Sequence, residues 1–259
     1  MVTAAENKII LDIEELASKI NMENEESEYR FNGHKVPRVT KIIQRCNHND
    51  GLMYWANSLG FRHQSYGKVI NEAANIGTQC HNNIDLFLTK DDHKPENIME
   101  EARNAYNSFI KWYNDISKAA KVCVAYHEKQ ITCSVFGGTL DGLYRINGKN
   151  YVVDYKTSNH ITYNYCLQLA AYIYMLEASY LKEVDGCIIL QLSKYSVGYN
   201  EYVLDFDNPN DREFMRTCRS GFLSMAYWYY YLKDIEQKFN TMKWGEKHDA
   251  IGYNQNFMY

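Results

Sequence analysis

Asp141, Asp154 and Lys156 are the residues whose types and spacing could do chemistry together. They flank Asn147-Gly148, the strongest short signal for a two-residue type I′ hairpin, since both turn positions need φ above zero. With that loop Ile146 faces Lys149, and counting outward brings Asp141 opposite Asp154. Their Cβ atoms then lie about 4.5–5.5 Å apart on one face. Like charges directly opposite destabilise a sheet unless something compensates them, and hard Mg²⁺ or Mn²⁺ does so through carboxylate oxygens. Lys156 is two residues beyond Asp154, so strand alternation points it to the same face. An ammonium there can orient an attacking water and stabilise charge on a phosphate in the transition state. Tyr155 turns the other way, into the core with Val153. The competing reading is an exposed hairpin carrying two surface acids and a salt-bridging lysine. The apolar run Tyr151-Val152-Val153 favours a buried strand, where unpaired acids would be costly.

The elements that must position this hairpin follow from apolar periodicity. Helical spacing is expected over 9–20, 39–46, 52–59, 66–88, 97–117, 162–180 and 211–239. Strands are expected over 122–133, 138–146, 151–156, 186–192 and 199–206, with a small hairpin about Asn32-Gly33 between Tyr29 and Val36. The acidic stretch Glu23 to Glu28 reads as a solvated loop. Helices flanking one mixed sheet give an α/β (α+β) fold. The expected organisation is an N-terminal extension over 1–28, a single domain over 29–240, and a C-terminal tail over 241–259. Gly77 and His81 share a helix face, and the glycine is expected to let that helix approach the sheet beside the imidazole. Gln168 and Tyr172 also share a face. For both pairs, and for Glu128 between His127 and Lys129, ordinary structural roles remain open.

Leu140-Asp141 followed by Asp154-Tyr155-Lys156 resembles the signature of the PD-(D/E)XK nuclease superfamily, with Leu140 in place of the proline. The wider pattern is similar to its RecB-like branch. Gly77-Thr78-Gln79-Cys80-His81 matches a G-x-x-x-H helix motif. Glu128 precedes Asp141, Gly137-Gly138-Thr139 leads into it, and Gln168 with Tyr172 matches Q-x-x-x-Y. Val36 to Ile43 and Trp55 resemble the opening segment of mitochondrial genome maintenance exonucleases and related phage exonucleases, with Arg38 where those carry serine or threonine. The resemblance covers roughly residues 29–206. It implies a restriction-endonuclease-like core with an N-terminal helical arch. It also implies one or two Mg²⁺ or Mn²⁺ ions held by His81, Asp141, Asp154 and the Tyr155 carbonyl, with Lys156 as catalytic lysine and Glu128 as a supporting acid. Gln168, Tyr172 and Thr157 would touch the substrate. Relatives with an iron–sulfur cluster use one early and three late cysteines, whereas this chain has only Cys218 near its C-terminus, so no cluster is expected.

The implied activity is hydrolysis of phosphodiester bonds in DNA, with exonuclease action on single-stranded ends ahead of endonuclease action. A non-catalytic nucleic-acid-binding protein with a decayed nuclease fold is the alternative from another class. Arg30, Lys35, Arg38, Lys41 and Arg45 form the densest basic patch, which could track phosphates or be an ordinary solvated face. The net charge of -4 is unusual for a nucleic-acid binder, although two divalent ions would formally cancel it. Seven scattered cysteines without a C-x-x-C pair read as reduced thiols. Met1 to Ile10 lack a signal-peptide pattern, and no apolar run approaches the roughly 18 residues of a membrane span. A soluble, cytoplasmic protein, with a phage source as one option, is therefore expected. The 23 tyrosines include Tyr227-Trp228-Tyr229-Tyr230-Tyr231, which cannot all face one way on a helix; most should be core or a partner surface, and base stacking is the other use.

Overall fold

The computed structural model describes residues 3–23, 25–47, 50–90, 93–180 and 182–242, without the side chains of 50 and 52. Helix α1 spans Ala4–Ser18 and precedes a hairpin of β1 (Arg30–Phe31) and β2 (His34–Lys35). Then come α2 (Val39–Cys46), α3 (Asp50–Phe61), α4 (Tyr66–Lys90) and α5 (Glu100–Ala119). A five-stranded sheet is built by β3 (Val122–Thr132), β4 (Gly137–Ile146), β5 (Lys149–Lys156), β6 (Gly186–Leu192) and β7 (Tyr199–Asp205). Helix α6 (Tyr163–Ser179) links β5 to β6, and α7 (Pro209–Thr241) closes the described chain.

The strands lie in sequence order, and only β5 and β6 run parallel. A parallel pair requires a crossover, which α6 supplies. The expected mixed sheet flanked by helices is thus the observed architecture. Alternation along β5 and β6 divides the sheet between two cores. Val152, Cys187 and Ile189 face α1, α2, α6 and α7. Val153, Tyr155, Ile188 and Leu190 face α4 and α5. Asp154 and Lys156 have the parity of Val152, so they face α6. Among the described residues no helix is long and apolar enough to cross a membrane.

Three expectations change at the N-terminal side. Helix α1 begins at Ala4 rather than at residue 9, because Thr3 and Glu6 form a capping box: Thr3 Oγ1 accepts from the Glu6 N–H at 3.2 Å, and Glu6 Oε2 accepts from the Thr3 N–H at 2.6 Å. Ile10 and Ile13 of that helix enter the main core, so α1 is part of the packed body rather than an extension. The stretch 23–28 is also not simply solvated. Glu25 is 3% exposed and accepts a hydrogen bond from Tyr229 Oη at 2.9 Å. Lys41 lies 2.5 Å and Lys233 3.1 Å from its carboxylate. One acid thereby ties the segment before β1 to α2 and α7. The C-terminal tail lies outside the described residues from 243 onward.

Burial pushes the Glu25 carboxyl up, but Lys41, Lys233 and Tyr229 together hold it below the usual carboxylate value. Glu25→Gln is expected to lower stability by about 1–3 kcal/mol at pH 7, since two ammoniums lose their counter-charge. The lysines are partly exposed, which keeps the loss below that of a fully buried pair. Urea denaturation checks it, and the difference from wild type should persist down to about pH 4.5 and shrink below it, as pH falls through the lowered folded value of Glu25.

Candidate active site

The β4–β5 hairpin has the expected turn and register. Asn147 and Gly148 have φ of 49° and 90°, and the pairing runs from Ile146↔Lys149 to Gly142↔Val153. The ladder stops one pair short of Asp141 and Asp154. There a side chain replaces the backbone pairing: Asp141 Oδ2 accepts the Tyr155 N–H at 2.8 Å. Both acids are enclosed, with Asp141 8% and Asp154 1% exposed. Lys156 Nζ lies 2.8 Å from Asp154 Oδ1 and 2.7 Å from Oδ2, as the shared parity requires. The second contact lacks hydrogen-bond geometry, so Asp154 Oδ2 meets the ammonium as an ion pair and has no hydrogen bond among the described residues.

Strand β3 brings Glu128 opposite Asp141, between the pairs His127↔Gly142 and Lys129↔Leu140. Glu128 has φ of 41°, a left-handed backbone inside a strand. Such a conformation costs a non-glycine residue roughly 1–2 kcal/mol. It also breaks side-chain alternation. Successive residues His127 and Glu128 both reach α4, where His127 Nδ1 lies 2.6 Å from Asp85 and Glu128 Oε1 lies 3.1 Å from His81 Nδ1. Asp85 and His81 are one helical turn apart.

His81 enters from α4 with Nε2 3.2 Å from the Tyr155 carbonyl and Nδ1 3.6 Å from Asp141 Oδ1. Burial alone would pull the imidazole pKa down, but Asp141 and Glu128 outweigh it and raise it to about 9. The imidazolium therefore donates to both Glu128 and the Tyr155 carbonyl. Burial likewise opposes charge on Lys156, yet Asp154 and Asp141 raise its pKa, so the ammonium is retained. Burial pushes Asp154 upward, Lys156 pulls it back, Asp141 adds to the push, and the result is a raised pKa.

Gln168 and Tyr172 reach the same place from α6. Gln168 Oε1 accepts from Lys156 Nζ at 3.4 Å, and Gln168 Nε2 donates to Tyr172 Oη at 2.9 Å. Gly138 makes room, because a Cβ there would meet the Tyr172 ring at 2.6 Å. Tyr165 is an addition that the sequence reading missed. Lys156 Nζ sits 4.8 Å from its ring centroid. Its spacing from Gln168 and Tyr172, three then four residues on one helix stripe, was the available signal.

Three expectations are revised here. Gly77 is not needed for close approach, since a Cβ there would meet Thr157 Oγ1 at an ordinary 3.6 Å. That contact places Thr157 beside α4. Four of the five basic residues of the patch are paired with acids: Arg38 with Glu28 at 2.8 Å, Lys41 with Glu25, Arg30 with Glu23, and Arg45 with Glu236, while Lys35 donates to the Glu23 and Glu25 carbonyls. Arg38 and Lys41 thus each pair with an acid of the 23–28 segment, Arg38 in a solvent-exposed pair and Lys41 with the buried Glu25. Finally, the ligand atoms that converge within 4.8 Å belong to His81, Glu128 and Asp141, while Asp154 is turned to Lys156. An imidazole and two carboxylates suit a divalent cation, and Asp154 Oδ2 fits one as well. The site would also gain its missing charge compensation, because three carboxylates outnumber Lys156 and the protonated His81.

No family model matches the chain, and no curated protein matches it. A solved structure described as the crystal structure of SSO0001 is 14% identical over 85% of each chain with a TM-score of 0.34, a similarity too low to bear on fold or function.

The folded protein holds the His81 proton up to about pH 9, whereas the unfolded chain releases it near 6.5. Between those values the folded state binds more protons, so stability falls as pH rises. In chelator, the stability difference between wild type and His81→Gln should be largest below pH 6.5 and decline toward pH 9, by about 3 kcal/mol as an upper bound. Urea midpoints at pH 6, 7.5 and 9 measure it, and a difference that is flat with pH would refute the assigned charge state.

Proposed function

We propose that this chain is a metal-dependent nuclease that hydrolyses phosphodiester bonds in DNA, acting as an exonuclease on single-stranded ends. The observation that carries the reading is the convergence of Asp141, Asp154, Lys156, His81 and Glu128 where β4 and β5 part. The motif order of the PD-(D/E)XK superfamily in the sequence supports it. His81, after giving up a proton on metal binding, would hold Mg²⁺ or Mn²⁺ with Glu128 and Asp141, with the Tyr155 carbonyl and Asp154 Oδ2 adjoining. A bound divalent cation supplies Lewis acidity toward the phosphate and a more acidic water.

The protein's own residues account for the rest. Lys156 keeps its proton, so its ammonium orients water and donates to a phosphoryl oxygen rather than acting as base. Asp154, Gln168 and the Tyr165 ring hold that ammonium in place. Tyr172 anchors Gln168, and Tyr155 with Tyr144 form a dry floor beneath the acids, their hydroxyls 2.6 Å apart. A low-dielectric floor strengthens each of these interactions. Helix α3 and the first part of α4 are exposed along most of their described length.

End-labelled linear, circular single-stranded and duplex DNA, incubated with Mg²⁺, Mn²⁺ or EDTA, tests the reading. Linear single strands should be degraded with either metal and left intact in EDTA. Cleavage of circles would replace the exonuclease assignment with an endonuclease. Lys156→Ala should fold and lose about 10²–10³-fold in rate, as expected for removal of one preorganised charge donor. Cleavage by that variant at the wild-type rate would sink the mechanism.

A further inference from the structure

A cavity of about 430 Å³ opens directly beside the candidate site, between the segment after β5 and the β6–β7 turn. It begins at Thr157, the residue next to Lys156, and Lys156 itself is paired with Gln191 of the cavity wall across the β5–β6 register. The size lies within the range of small-molecule pockets, about 300–1,000 Å³. Its chemistry is unlike the rest of this acidic chain. The lining is built of hydroxyls, amides, tyrosines and one lysine, with no carboxylate among its described residues.

Tyr195 and Lys194 stand out in that lining. Tyr195 is 72% exposed, so its ring is accessible from solvent. Asn159 Nδ2 donates to its Oη at 3.1 Å, which fixes the ring as a wall between the two loops. Lys194 Nζ has no carboxylate partner among the described residues and rests 5.7 Å from the Tyr195 ring centroid. The loop beneath is firm. Gln191 Nε2 donates to the Ser158 carbonyl at 2.9 Å, and Asn104 Nδ2 donates to the Lys194 carbonyl at 3.2 Å. A fixed exposed ring, an unpaired ammonium and nearby amides are the recognition chemistry of a base joined to a phosphate.

We infer that this cavity is a nucleotide subsite: Tyr195 stacks a base, and Lys194 leaves the ring to pair with that nucleotide's phosphate. Asn159 and Asn200 offer amides to the base or sugar. The assignment rests on the nuclease reading for its role, as the subsite that seats the nucleotide next to the scissile bond. Its binding chemistry stands apart from catalysis. Base stacking tolerates every base, so weak discrimination among the four bases is expected.

Isothermal titration in EDTA, where no turnover occurs, tests the subsite with deoxyadenosine monophosphate, deoxyadenosine and inorganic phosphate as separate probes. The monophosphate should bind wild type more tightly than either fragment. Tyr195→Ala should weaken it roughly five- to a hundred-fold, the span of one lost base stack. Tyr195→Phe should bind nearly as wild type. Lys194→Met should weaken the monophosphate while leaving deoxyadenosine unchanged. Equal binding of the monophosphate by all four proteins, or none by wild type at millimolar concentration, would overturn the subsite. DNA cleavage is scored on the same protein preparations with Mg²⁺ or Mn²⁺ in place of EDTA. A protein that cuts DNA while Tyr195→Ala and Lys194→Met bind normally loses the subsite and keeps the nuclease reading. Losses in both variants without DNA cleavage by wild type keep a nucleotide site and remove the nuclease reading.

Discussion

Three carboxylates, those of Glu128, Asp141 and Asp154, are brought to the point where β4 and β5 stop pairing, on a sheet whose interior is dry. Repulsion among them is the constraint that the surrounding structure answers. Lys156 neutralises Asp154, a protonated His81 bridges Glu128 and Asp141, and the Tyr155 N–H satisfies one oxygen of Asp141. The compensation is incomplete, because one oxygen of Asp154 is buried without a hydrogen bond among the described residues. A folded protein rarely leaves a buried acceptor unmatched without a functional reason. A divalent cation would remove both the missing donor and the surplus negative charge.

The same constraint explains the left-handed backbone at Glu128. A regular strand would send His127 and Glu128 to opposite faces, and only one could meet α4. The kink lets both do so, so that Asp85 and His81, one turn apart, take adjacent strand residues. Backbone strain is here exchanged for a carboxylate held beside an imidazole. Helix α6 supports the opposite side with Tyr165, Gln168 and Tyr172 on one stripe, and the glycine at 138 allows that stripe to lie against β4. Thus the acids are gripped between helices from both layers of the fold.

Away from the site, charge serves architecture. Glu25 collects Lys41, Lys233 and Tyr229, and Glu28 takes Arg38. The acidic and basic segments that look like separate surfaces in the sequence neutralise each other across a short hairpin. The aromatic run of α7 divides in the same manner. Tyr229 and Tyr230 are buried with bonded hydroxyls, whereas Tyr227, Trp228 and Tyr231 stack on the surface. By contrast, the one lysine of the cavity beside Thr157 has no carboxylate partner among the described residues.

The sequence by itself determined the hairpin, its register and the parity of Asp154 and Lys156. An Asn-Gly turn and two-residue periodicity are local rules that tertiary contacts had no cause to override. Most helices and strands were legible for the same reason, with boundaries displaced where a cap such as Thr3–Glu6 extended a helix beyond its apolar pattern. Tertiary structure decided which distant groups meet. That Glu128 rather than Asp154 joins His81 and Asp141 depends on a backbone kink and on where α4 crosses the strands. That Arg38 and Lys41 are neutralised depends on the path of residues 23–28, and that Tyr165 covers Lys156 depends on the angle at which α6 returns over the sheet. Spacing along the chain encodes faces and turns, whereas the meeting of residues far apart in sequence depends on packing, which no single segment carries.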